Sequence, residues 1–239
     1  MNIDALVFAA HPDDAELGMG GTIAKVVKNN FSVGIIDITQ GEMSTRGNTV
    51  IRKQETLKAD AILKTSIREN LMIPDGDIQL TDENIRKIII MIRKYRPKII
   101  FAPYFNDRHP DHLNVSILVK KAFFISGLLK YKTVNGGEEQ ETYRPSKLYY
   151  YMQTYTFIPS FIIDISNTFN EKMDSVRAYS SQFYDPKNTE PETFISNPQF
   201  IEYVEARARH YGFQIGKRYG EPFFCEEIIE LDLSQVLSN

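Results

Sequence analysis

Short apolar runs alternate with amphipathic stretches through the first half of the chain. Residues 5–10 form an unbroken apolar run of buried-strand length, and 33–39 and Ile99–Pro103 read as further strands. A helix is expected near residues 20–30. Residues 51–64 place Leu57, Ala61 and Ile62 among charges, which predicts an amphipathic helix. Residues 71–73 suggest a short strand ending at the Pro74-Asp75-Gly76 turn. Thr81 suits the N-cap of a helix over Asp82–Tyr95, with Asn84 where a capping box would have an acid. Another helix is expected from about residue 111 to 130. Strands separated by helices predict βαβ units and a mostly parallel sheet.

The second half is less regular. Residues 131–144 contain Gly136-Gly137 and several Glu, and read as an exposed loop. Strands are expected at 148–151 and 161–165, and helices at 169–181 and 199–211. Residues 183–198 hold three Pro and many polar residues, which predicts a long loop of the kind that often serves function. Neither repeats nor low-complexity segments occur, so residues 1–239 read as a single α/β domain.

Composition narrows the classes. The chain has 239 residues, with 28 Lys and Arg against 31 Asp and Glu, a net charge of −3. A domain of this size buries roughly 70–75% of its unfolded surface, so it needs no metal or disulfide merely to fold. Balanced charge without basic runs argues against a nucleic-acid partner. The apolar runs are too short for a membrane helix, and Asp4 stands where a signal peptide would carry a basic residue. The single cysteine, Cys225, has no internal disulfide partner. A cytoplasmic protein is expected.

Three of the four histidines lie in two short segments, His11-Pro12-Asp13-Asp14 and His109-Pro110-Asp111-His112. Each segment follows an expected strand, and ligands bind outside the carboxyl ends of strands in open α/β sheets. The strand at 33–39 ends in Gln40-Gly41-Glu42, so polar groups gather at one rim. Imidazole and carboxylate are the usual ligands of Zn²⁺, and a catalytic zinc keeps three of them plus water. One of the adjacent Asp13 and Asp14 can bind the metal while the other faces the water and takes its proton. A lone His-Pro-Asp triplet is better read as a turn capped by its Asp. Two at strand ends, with a doubled Asp and a second His, favour a metal site.

Other features carry less. His210 stands near a helix end and suits the macrodipole there. Gly18-Met19-Gly20-Gly21 could invite a phosphate, but departs from the dinucleotide-binding spacing. The tyrosines at 149–151 fit sheet packing. Arg46, Arg52 and Arg108 gain interest only from their nearness to the rim.

The segment AHPDDAELGMGGT at 10–22, with HPDH at 109–112, resembles the zinc-dependent N-deacetylases of the LmbE-like/PIG-L family. TQGEMSTRG at 39–47, FAPYFNDRHPDH at 101–112, AYSSQF at 178–183 and YGEPF at 219–223 resemble its bacillithiol-biosynthesis branch. That branch deacetylates N-acetylglucosaminyl malate. The resemblance implies a Rossmann-like α/β fold, one Zn²⁺ per chain held by His11, Asp14 and His112, and Asp13 as general base. It implies His109 as the group stabilising the charged intermediate, kept cationic by Asp111, and Glu42 and Arg52 as pocket residues. It further implies a small amino-sugar conjugate as partner and a homo-oligomer, often a hexamer. Arg108, directly before His109, is expected to read the aglycone, with Arg46 a weaker candidate. Two rival readings remain: a non-haem Fe(II) oxygenase, since two His and a carboxylate also form a facial triad, and a non-enzymatic nucleotide- or metal-binding module using residues 18–21.

Overall fold

A computed structural model describes residues 2–230. The elements run β1 (Ala5–Ala9), α1 (Asp14–Lys28), β2 (Val33–Asp37), α2 (Thr49–Leu63), β3 (Ile67–Asn70), α3 (Asp82–Tyr95), β4 (Ile99–Pro103) and α4 (Pro110–Ile125). The small strands β5 (Val134–Asn135) and β6 (Glu138–Glu139) come next. They are followed by β7 (Lys147–Tyr151), β8 (Phe161–Asp164), α5 (Phe169–Arg177), α6 (Pro198–Gln214) and β9 (Gly220–Phe224). Seven strands form one sheet in the order β3-β2-β1-β4-β7-β9-β8. The first five are parallel, and β9 is inserted antiparallel between β7 and β8. This is the expected single α/β domain.

Strand alternation divides the core. Leu6, Phe8 and Ala10 face a layer containing Ile85, Ile88, Ile92, Val115 and Leu118 of α3 and α4. Ala5, Val7 and Ala9 face Ala15, Met19 and Ile23 of α1 on the other side. A third cluster joins α5 and α6 through Phe169, Met173, Val204 and Ala208. No helix among the described residues is long and apolar enough to cross a membrane.

Several expectations change. The helix expected near 20–30 starts at Asp14, the last residue of the first His motif. Its glycines serve close packing: a Cβ on Gly18 would run into the Tyr151 ring, and one on Gly21 would lie 2.7 Å from Ile165. The strand expected at 71–73 is instead β3, whose Arg68 is buried by carboxylates and so hides the strand pattern. Strand β9 contains Pro222, but β7 pairs only with Phe223 and Phe224, so the missing N–H breaks no bond to β7. The helix expected to reach 130 stops at Ile125, and α6 runs on to Gln214. Within 131–144, Gly136 and Gly137 take φ of 62° and 88° and turn β5 into β6 as a hairpin. Thr81 caps α3 as expected, its Oγ1 accepting the Asn84 N–H at 3.2 Å.

Candidate metal centre

Strands β1 and β4 are parallel neighbours, and the chain leaves them for opposite faces, into α1 and α4. That divergence opens a crevice at their carboxyl ends. Leaving β1, the chain turns so that the Asp14 N–H donates to His11 O at 3.2 Å and the Leu17 N–H to Asp13 O at 2.9 Å. Asp13 takes φ 123°, which is rare for a residue with a Cβ. Arg52, in the first turn of α2, holds it there: Nη1 donates to Asp13 Oδ2 at 2.7 Å. At the end of β4, His109 caps α4 ahead of Pro110, its Nδ1 accepting the Asp111 N–H at 3.3 Å.

The two turns share a cavity of about 430 Å³, lined by His11, Asp13, Asp14, Arg52, Arg108, His109 and His112 among others. Asp14 stands between two imidazoles, with Oδ1 3.2 Å from His112 Nε2 and Oδ2 3.4 Å from His11 Nδ1. Each imidazole is anchored through its other nitrogen. His11 Nε2 lies 3.0 Å from Asp75 Oδ1 and 3.3 Å from Asp111 Oδ2, and His112 Nδ1 lies 3.0 Å from Asp107 Oδ1.

These contacts fit a divalent cation. A histidine ligand usually donates its far N–H to a carboxylate, which fixes the tautomer and turns the lone pair inward. Here that leaves His11 Nδ1 and His112 Nε2 facing Asp14. Asp14 thus offers one carboxylate oxygen to each inward-facing imidazole nitrogen, Oδ1 to His112 and Oδ2 to His11. Two sets among the described residues, His11/His109/His112 and His11/Asp75/Asp111, bring donor atoms within 4.8 Å of one another, and the first shares both imidazoles that face Asp14. The second uses His11 Nε2, whose proton already satisfies both carboxylates, so the Asp14 side is the better centre.

Electrostatics point the same way. Burial opposes charge on His11, yet Asp111, Asp14 and Asp75 hold its pKa well above the usual value. Burial is likewise outweighed at His112, where Asp14 and Asp107 raise the pKa to about 9. Burial also works against an ionised Asp14, but His112 and His11 hold its carboxyl well below the usual range. This concentration of negative charge is what a metal cation would neutralise on displacing the imidazole protons.

Residues 6–123 match the family PIG-L, described as GlcNAc-PI de-N-acetylase. A diacetylchitobiose deacetylase of Thermococcus kodakarensis is 30% identical over 230 residues, covering 90% of this chain and 80% of that protein. The chain belongs to the PIG-L family. The conserved protein TT1542 from Thermus thermophilus superposes on this PIG-L member with a TM-score of 0.86 at 36% identity, covering 96% and 97% of the two chains. An N,N'-diacetylchitobiose deacetylase from Pyrococcus horikoshii, complexed with its inhibitor MPG, gives 0.79 at 26% identity, covering 92% and 82%.

Within this PIG-L chain, His11, Asp13, Asp14, His109, Asp111 and His112 all converge. The relation expected between His109 and Asp111 is corrected. The Asp111 carboxylate turns to His11 and to the Gly76 N–H, 2.9 Å away, and reaches His109 only through its backbone N–H. Burial, with His11 and His112 alongside, lowers the His109 pKa against the opposing pull of Asp14 and Asp111. Burial pushes the Asp13 carboxyl up to about 6 against the pull of Arg52.

The substrate candidates separate. Arg108 lines the cavity, its guanidinium 4.2 Å from the centre of the Phe194 ring. Arg52 also lines it, with Nη1 committed to Asp13. Arg46 is a buried arginine whose Nη1 donates to Phe183 O, and it does not line the cavity. Glu42 is exposed and ties two rim loops, accepting the N–H groups of Asp75 and Gln40. His210 is exposed beside Gln214, away from the centre. Sequence reading missed Asp107, although an acid two residues before a histidine motif at a strand end is a usable signal. Gln153 and Arg207, which also line the cavity, carry no local signal.

Proposed function

We propose that the protein hydrolyses the N-acetyl group of an N-acetylglucosamine conjugate, with N-acetylglucosaminyl malate as substrate and one Zn²⁺ per chain. The observation that carries this reading is the division of two adjacent carboxylates. Asp14 is wedged between two anchored histidines, while Asp13, gripped by Arg52 through one oxygen, faces the same cavity. When bound, a divalent cation at His11, Asp14 and His112 would supply Lewis acidity and lower the pKa of a water.

Asp13 Oδ1 accepts no hydrogen bond among the described residues, and is free to take the proton of the attacking water. The water oxygen bonds to the acetyl carbon as that proton leaves. With Nδ1 accepting from the Asp111 N–H, His109 carries a proton on Nε2 and can donate it to the oxygen that gains charge. Asp13 then returns its proton to the amine nitrogen as the C–N bond breaks, releasing acetate and the free amino sugar.

The malyl aglycone rests on Arg108. Among the described residues it has no carboxylate partner, and with its guanidinium over the Phe194 ring its N–H groups remain for a carboxylate. A second sugar as aglycone is favoured instead by the diacetylchitobiose deacetylases among the relatives. Turnover of metal-reconstituted protein on malyl, inositol and disaccharide conjugates separates the two, and no acetate release from any of them would refute the hydrolase reading. Asp13→Asn should lower kcat by about 10²–10⁴ while metal content stays near that of the wild type. Retained turnover would remove Asp13 as the base.

A further inference from the structure

The glycine-rich segment after the first histidine motif conceals a broken helix. Inside α1, Met19 takes φ −148° and ψ 23°, which interrupts the hydrogen-bond ladder. The turn before the break carries Asp14 at its amino end, and the helix after it starts afresh near Gly20. Each half thus has a terminus inside the protein, where unpaired carbonyls or amides must find partners.

One ion pair serves both. Lys172 of α5 places Nζ 3.2 Å from Glu16 O and 2.8 Å from Leu17 O, the carbonyls that end the first half. Glu221 of β9 accepts the Gly21 N–H at 3.0 Å through Oε1 and the Thr22 N–H at 2.7 Å through Oε2, the amides that open the second half. Lys172 Nζ and Glu221 Oε1 are 2.6 Å apart, and the two residues are 1% and 2% exposed. The cation meets a helix carboxyl end and the anion a helix amino end, the favourable sense for both dipoles. Arg207 of α6 adds a donor to Leu17 O at 3.0 Å. The anion that the glycine segment could have drawn from solvent is therefore a side chain of the protein.

We propose that Lys172 and Glu221 are positioning residues for the metal centre. By gripping the break, they fix the carboxyl end of a single helical turn whose amino end presents Asp13 and Asp14. A short turn has no ladder of its own to resist tilting, so its aim depends on what holds its far end. This rests on the metal-dependent hydrolase reading above.

The test compares wild type with Glu221→Gln, Lys172→Met and the double variant. Zinc affinity is read by chelator competition, stability by urea unfolding, and kcat and KM by acetate release. Each single variant leaves a buried charge unpaired and loses stability; the double variant regains most of it. The proposal expects zinc affinity and kcat of the double variant to stay roughly tenfold or more below wild type, with KM little changed. A double variant with wild-type zinc affinity and kcat overturns it. Should the double variant fail to fold, wild-type zinc affinity and kcat in the near-isosteric Glu221→Gln overturn it equally. Wild-type protein that neither binds zinc nor releases acetate would overturn the hydrolase reading and this proposal together.

Discussion

Arg52 Nη1 and Asp13 Oδ2 meet at 2.7 Å with both side chains buried, and the ion pair locks a carboxylate whose backbone sits at φ 123°. The arginine is thereby a holder of the base rather than a free fork for substrate. Arg52→Ala should lower kcat by more than about tenfold and destabilise the fold by roughly 3 kcal/mol, since it strands a buried charge. A raised KM at unchanged kcat would instead return Arg52 to direct substrate binding.

Asp107 joins the metal centre to the rim beyond β7. Its Oδ1 lies 3.0 Å from His112 Nδ1, and its Oδ2 accepts the N–H groups of Thr154 and Tyr155 at 2.7 and 3.1 Å. Removing such a partner typically costs about 10–100-fold in metal affinity. Asp107→Ala should therefore weaken zinc binding by that factor in chelator competition. Unaltered affinity would show that His112 needs no anchor.

Arg108 is the specificity prediction. Arg108→Ala should cut kcat/KM for the malyl conjugate by about tenfold to a hundredfold, the worth of a charge-assisted pair of roughly 1.5–3 kcal/mol, and spare N-acetylglucosamine. Equal losses on both would mean that the residue supports the catalytic turn through its stack on Phe194.

Away from the centre, Asp37 gives a pH signature. Arg68 grips it with two donors at 2.7 and 2.9 Å, but burial dominates and pushes its carboxyl from 3.8 up to about 6. A raised folded-state pKa means that the folded protein binds the extra proton. The stabilisation is full below the unfolded value of 3.8 and is lost as pH rises through about 6. Relative to Asp37→Asn, wild type should lose stability between about pH 4 and pH 7, by at most about 3 kcal/mol, in urea unfolding. A constant difference across that range would show that Asp37 does not titrate there.

Much of the centre was legible because its signals are local. Hydrophobic runs such as 5–10 and Ile99–Pro103 mark strands by length alone, and a polar motif directly after a strand must lie at the sheet's rim. The Thr81 cap and its helix were readable for the same reason: donor and acceptor are three residues apart. The paired histidine motifs therefore mark the rim at which the candidate site lies. What tertiary structure alone decided involves partners far apart in the chain. Glu42 and Arg46 look alike as rim residues, yet one ties loops in solvent and the other is buried against Phe183. Asp111 sits two residues from His109, but its carboxylate goes to His11. Strand β3 hides its register because Arg68 is charged, and only Asp37, Glu16 and Asp60 together make its burial possible. The break in α1 holds because Lys172 and Glu221, from α5 and β9, meet inside it. Periodicity and capping are properties of neighbours along the chain, so sequence carries them directly. A buried charge is set by whichever distant group can desolvate with it, and only the folded chain brings that group near.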